Sequence, residues 1–281
     1  MAYPTVSAPY GLKPVNLLGG QVFSGSTREI PIQYGEATGI YYGDFVKVAQ
    51  GFAQRVAVTT SGTGLGLVGV FLGCSYTNPT TKQKTFAQNW IGGTLAGDAV
   101  AIVCDDPDTV FKAVVCSSGT TVASGSYAMV GQNYAMINTV GSLATGNSSN
   151  ALLYSTTLTT GAYPARVVGV VPETSSTVTA VGSSSSTTIT ISSTGGLPSA
   201  LVSGTDVSYL TSAGQVVRTG SFVTTAAAAG ATSVTINAAA SSLGLTATPI
   251  PSGSTILFTQ IPEMLVKLNF GIHEYYTATA V

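Results

Sequence analysis

Leu65–Pro79, LGLVGVFLGCSYTNP, decides the fold class. It is the most strand-like run in the chain, and Val167–Pro172, VVGVVP, echoes it further on. Val-rich apolar runs bounded by Gly and Pro read as buried β-strands. Glycines within the run permit close strand packing, and Cys74 is expected to be buried. Nothing in or beside it resembles catalytic equipment. Gly64–Gly69 fits the G-x-G-x-x-G pattern, but a dinucleotide site needs a strand before it and a helix opening on it. Ser, Thr and Gly precede this one and a strand follows, so it reads as a glycine-rich strand entry.

Working outward, the same short-strand grammar recurs. Thr27–Gln33 alternates as a half-buried strand. Gly39–Ala49 and Gln54–Thr59 flank Gln50-Gly51, a hairpin turn. Asn78-Pro79 breaks the central run. Lys84–Trp90 reads as a polar–aromatic strand, and Ala99–Cys104 and Val110–Cys116 as a pair across Asp105-Asp106-Pro107-Asp108. Ser126–Met136 and Arg166–Pro172 are further strands, with no clear register over 137–162. Composition shifts over residues 173–261, whose only charges are Glu173, Asp206 and Arg218. Alternating Thr, Val and Ile between Gly/Ser turns implies a small β-sandwich or β-barrel. Ala226–Ala229, ahead of Gly230, suits a single helical turn equally well. The earlier composition returns at Pro262–Val281, with Met264–Leu268 as a strand. The expected architecture is all-β: a β-barrel or β-sandwich core over 21–172 plus 262–281, with a second small β-domain inserted at 173–261.

Residues 1–20 hold Pro4, Pro9 and Pro14, with Tyr3 and Tyr10 between them. Proline fixes φ and biases its predecessor towards extended backbone. This predicts an extended N-terminal arm that clasps a neighbouring subunit. Without a basic start or an apolar stretch, it is not expected to be a secretory signal.

Composition narrows the function. The chain has 281 residues, of which 7% are charged, against about 25% in ordinary soluble proteins. Ten Lys+Arg against eleven Asp+Glu leave a net charge of -1. No basic cluster suits nucleic acid or an anionic membrane, and no apolar run approaches the ~20 residues of a membrane-spanning helix. A surface this poor in charge favours association. Cys74, Cys104 and Cys116 match neither a disulfide framework nor a zinc pattern, and read as reduced, buried hydrophobes made in a cytosol.

Candidate chemistry is sparse. Asp105, Asp106 and Asp108 are the only carboxylate cluster; they suit a hard cation but also an ordinary exposed turn. His273 is the only histidine, so triad or zinc chemistry lacks partners, and it reads as packed or interface-facing. No nucleophile elbow and no His-Glu-x-x-His motif occur. The chain is expected not to be an enzyme and to need no cofactor. Asn147-Ser148-Ser149 is a formal glycosylation sequon. Tyr41, Tyr42, Tyr127, Tyr134, Tyr275 and Tyr276 suit β-sheet packing, with sugar or subunit contact as the other reading.

Four segments together resemble a family of virion structural proteins from tailed phages of aquatic bacteria, including marine cyanobacteria. They are Ala2-Tyr3-Pro4 through Gly11-Leu12-Lys13-Pro14-Val15, Gly69–Tyr76, Asp105–Asp108 and Leu268–Tyr275. The resemblance covers roughly 1–172 and 262–281, with 173–261 as an appended surface domain. It implies a head-decoration or cement protein on the outside of an icosahedral shell, made in the host cytoplasm. Such a protein binds the major capsid protein and itself as a homotrimer. The contact residues expected are Tyr3, Pro4, Pro9, Tyr10, Lys13, Pro14, His273, Tyr275 and Tyr276. No long amphipathic helix suits the major capsid protein's own fold. Two alternatives stand beside this: a head- or tail-fibre module binding host-surface glycans, motivated by the tyrosines and the insertion, and a β-sandwich carbohydrate enzyme using Asp105 or Asp106.

Overall fold

The computed structural model describes residues 6–56, 66–154, 163–185, 187–237, 250–269 and 273. At 50% strand and 3% helix the protein is all-β. It divides into two compact units. The body holds Ala8–Thr120, Gly131–Val168 and the chain from Leu265 on; the barrel unit holds residues 6–7, Thr121–Val130 and Gly169–Met264.

The body is built around the strand Leu67–Thr77. Along one edge it pairs antiparallel with Val100–Cys104; along the other it meets Phe45–Ala49 first and then Lys84–Ala87. Arg28–Pro31 and Phe52–Arg55 close the ends of this sheet. All but Leu72 and Thr77 of the central strand are buried. Gly69 explains one close approach: a Cβ there would lie 2.1 Å from the Cys104 carbonyl oxygen. Val68, Phe71, Cys74 and Tyr76 join Ile30, Val46 and Trp90 in the core. Tyr76 meets Trp90 edge-on, with ring centroids 5.4 Å apart. The Gln50-Gly51 hairpin forms as expected, with both residues at positive φ (53° and 85°), the backbone that a two-residue turn between twisted strands demands.

Four expectations need correcting. Residues 8–20 are not a free arm. Lys13–Leu17 pairs antiparallel with Thr109–Ser118, the Leu12 amide donates to the Gly43 carbonyl (3.1 Å) and the Gly11 amide to that of Asn150 (3.2 Å). Gly11 lies so close that a Cβ would sit 2.7 Å from Ser148 Cβ. The prolines keep the segment extended, and the body's own sheet takes it up. Second, Val100–Cys104 and Thr109–Ser118 do not pair across the aspartate turn. The first lies in the sheet of the central strand, the second in another with Lys13–Leu17, Ala151–Leu153 and Glu263–Leu268. The turn carries the chain from one sheet to the other. Third, Ser126–Met136 is broken by a 3-10 turn at Tyr127–Met129, and 121–130 groups with the barrel unit rather than the core domain. Fourth, the alanine run forms no helical turn: Ala227 exchanges both backbone hydrogen bonds with Leu201.

The barrel unit is one antiparallel sheet in the order Val216–Phe222, Asp206–Leu210, Ser254–Gln260, Ser176–Ser184, Thr188–Ile191, Ser233–Thr235. Its two outer strands meet. Val223 bridges Ile236, the Thr224 amide donates to the Thr235 carbonyl (3.0 Å), and Asn237 N donates to the Phe222 carbonyl (3.0 Å). The sheet thereby closes into a six-stranded barrel, removing the unpaired edges of an open sheet. Ile189, Val207, Val234, Ile256 and Phe258 fill its interior. The Thr/Val/Ile alternation supplies one apolar and one hydroxyl face per strand.

Candidate functional site

The residues expected at a partner contact separate into three groups. Tyr3, Pro4, Tyr275 and Tyr276 lie outside the described residues. Pro9 and His273 are buried within the chain itself. His273 is 0% exposed and bridges Leu67 of the central strand. Burial pushes its imidazole below the ordinary histidine value, against a backbone hydrogen bond at Asp105 and the charges of Asp105 and Asp106. It is a buried histidine beside the central strand.

Tyr10, Lys13 and Pro14 are half-buried. Lys13 stands opposite Lys112 in the strand register, a like-charge pair that opposes pairing. The Tyr10 ring offsets it, lying 4.2 Å from Lys13 Nζ and 5.9 Å from Lys112 Nζ, within cation–π range.

The aspartate turn is held by the protein's own cations. Asp105 pairs with Arg28 (3.0 Å) and Asp108 with Lys267 (3.5 Å). Asp106 Oδ1 accepts from the Asp108 amide (2.9 Å), a turn-forming arrangement. Among the described residues no cluster of three or more His, Cys, Asp or Glu side chains is placed to hold a metal. The three cysteines are free and buried, and burial pushes the Cys74 and Cys116 thiols up to about 12. They remain thiols at neutral pH and lack the thiolate a nucleophile needs.

Sequence reasoning missed a buried ionic node. Asp44 is fully buried. Its Oδ1 accepts from Ser148 Oγ (2.6 Å) and Asn150 Nδ2 (3.1 Å), and its Oδ2 from the Tyr41 amide (2.9 Å). Arg55 Nε lies 2.9 Å from Oδ2, and the same guanidinium donates to Asn138 Oδ1 (2.7 Å). Burial raises the Asp44 pKa, while Arg55 and the other donors pull it back. The node ties the hairpin to the 138–150 loop. The formal sequon is part of this joint, since Ser148 is buried. Nothing in the local sequence links Asp44 to Ser148.

Two surfaces remain open. On the body, Tyr34 (62% exposed), Ile91 and Leu95 (56%) lie on two loops held together by Gly93 N donating to the Glu36 carbonyl (2.7 Å) and Trp90 Nε1 to the same oxygen (3.3 Å). Phe86, 78% exposed, stands on Lys84–Ala87, and Val15, Leu18 and Val22 follow the outer side of the N-terminal strand. These are large apolar groups on a rigid frame. On the barrel unit, a cleft of about 600 Å³ opens between the 211–215 turn and the 251–255 turn. Tyr209, Thr211, Ser212, Ser252, Ser254 and Thr255 line it, and among the described residues no charged one does.

No family model matches the chain, and neither a curated protein nor a solved structure matches it.

Proposed function

We propose that the chain is a virion structural protein, a decoration or cement protein on the outer surface of a tailed-phage head. In this reading it binds the major capsid protein at capsomer junctions as a homotrimer. The observation that carries it is the apolar surface of the body: Tyr34, Ile91, Leu95 and Phe86 stand in water on a chain with only 7% charged residues. Exposed apolar patches on rigid loops mark association surfaces, and depletion of charge suits interface cores. The all-β body and the resemblance of Gly69–Tyr76 and Asp105–Asp108 to phage head proteins point the same way. Because Lys13–Leu17 belongs to the body's own sheet, this reading places the grip on these loops.

The mechanism is physical. A DNA-filled head is under internal pressure, and each bound trimer adds contact free energy where capsomers meet. Trimerisation raises effective concentration, so weak contacts act together. The test is binding of the Tyr34→Ser/Leu95→Ser double variant to undecorated heads. Its occupancy should fall by about tenfold or more, for the loss of two buried apolar anchors, and heads carrying it should break at lower temperature. Unchanged occupancy would overturn the assignment of this surface.

The second reading, a fibre module for host-surface glycans, is favoured by one feature only, the uncharged cleft of the barrel unit.

A further inference from the structure

We infer that the cleft between the 211–215 and 251–255 turns is a binding site for a neutral carbohydrate. The inference stands on the barrel unit alone and does not require the virion reading.

Some hydroxyls of this unit are committed to the fold. Thr205 Oγ1 donates to the Val202 carbonyl and Thr219 Oγ1 to that of Val207, each at 2.6 Å. Thr177 and Thr259 share a hydrogen bond across two strands. Others, at the cleft and elsewhere, are not. The side-chain hydroxyls of Ser212, Ser252, Ser254 and Thr255 make no hydrogen bond to protein among the described residues. Thr211 Oγ1 accepts from the Gln215 amide (3.1 Å), which leaves its O–H to donate. Hydroxyl-bearing residues of both turns therefore line one cavity, and a hydroxyl can both donate and accept.

The turns that present them are firmly built. The Thr211 amide donates to the Gln215 carbonyl (2.9 Å), Gly214 N to the Thr211 carbonyl (2.9 Å) and Ser254 N to that of Pro251 (3.3 Å). Gly214 and Gly253 have φ of 77° and 78°, which only glycine adopts readily, and no atom lies within 4 Å of a Cβ placed on either. Register sets the two walls side by side, with Leu210 opposite Thr255.

The lining chooses the ligand class. A phosphate or a sialic acid would find no cation there, since among the described residues no charged one lines the cleft. An apolar ligand would cover hydroxyls without giving them partners, which costs free energy on burial. A sugar offers the matching array of hydroxyls, with Tyr209 and Pro251 as apolar surface beneath. The volume, about 600 Å³, falls among ordinary small-molecule sites of roughly 300–1,000 Å³. Tyr209 is mostly covered, so stacking is limited and each site binds weakly; several copies on one particle would compensate.

The test is amide NMR of the full chain titrated with neutral probes (glucose, galactose, mannose, N-acetylglucosamine and their disaccharides) and with two charged ones, glucuronic acid and N-acetylneuraminic acid. Saturable shifts confined to residues 209–215 and 251–255 with at least one neutral probe, and none with the charged ones, are expected. Ser252→Ala/Ser254→Ala should weaken that binding by about tenfold, as lost neutral hydrogen bonds do. Ser212→Trp, on an exposed turn, should abolish it while leaving the rest of the spectrum unchanged. Absence of shifts with every neutral probe, shifts elsewhere, or an equal response to the charged sugars would overturn the inference.

Discussion

The body and the barrel unit solve the same problem, a stable β-fold, with different chemistry. The body concentrates its charges in ion pairs, one of them, Asp44–Arg55, buried beneath a hairpin. It leaves large apolar side chains in solvent at Tyr34, Phe86 and Leu95. The barrel unit has almost no charge. Hydroxyls supplement its backbone ladders, as Thr219 Oγ1 does by donating to the Val207 carbonyl, and its sheet closes between Val223 and Ile236. A closed barrel needs no neighbour to cover an edge. A body with apolar loops gains from one. In the proposed reading, assembly falls to the body and small-molecule contact to the barrel.

The contrast can be broken first at the buried ion pair. Asp44→Ala leaves the Arg55 guanidinium buried without its carboxylate, and removing one partner of such a pair costs about 3–5 kcal/mol. Denaturant unfolding should show that loss in the transition reported by Trp90, which is a body residue. A loss too small to measure would mean the node contributes nothing to the body.

The next effect belongs to the barrel and has the opposite sign. Asp206 is buried, accepts from the Tyr127 amide (3.4 Å) and has Arg218 nearby, its guanidinium 3.7 Å from the Tyr127 ring centroid. Burial pushes its carboxyl up to about 6, against the Tyr127 amide and Arg218. The folded value thus lies above the unfolded one. The stabilisation from the protonated form is complete below about pH 4 and is lost as pH rises through about 6. Asp206→Asn removes that loss. It should raise barrel stability by about 3 kcal/mol at pH 8, from a shift of about two units at ~1.4 kcal/mol each, and change little at pH 4. Equal effects at both pH values would contradict this account.

The smallest effect sharpens the account of the N-terminal strand. Tyr10→Ala removes a half-buried ring and exposes the Lys13–Lys112 pair to its own repulsion. A loss of about 1–2 kcal/mol is expected. Added salt should recover part of it, because screening weakens exposed like-charge repulsion. A salt-independent loss would leave only packing.

Legibility followed the range of the interaction. The all-β class was readable from Leu67–Thr77 and its neighbours because period and turn chemistry are local: the Gln50-Gly51 hairpin and the Glu263–Leu268 strand fall where the pattern places them. Pairing across distance was not. Nothing local tells Cys104 and Thr109 that they enter different sheets, or Pro14 that its partner is Phe111. The N-terminal prolines correctly spoke of extended backbone, yet extended backbone serves an arm and a paired strand equally. Of the candidate contacts, His273 read as a choice between packed and interface-facing, and its complete burial selects the first. The cleft left no signal in a region where Ser and Thr are everywhere; only the meeting of its two turns marks it.

The most direct test of the central claim is cryo-electron microscopy of phage heads reconstituted with this protein. The account predicts trimeric density outside the shell at threefold and quasi-threefold positions, with the loops of Tyr34 and Leu95 buried in the contact. Bare heads, or density confined to the tail, would contradict it.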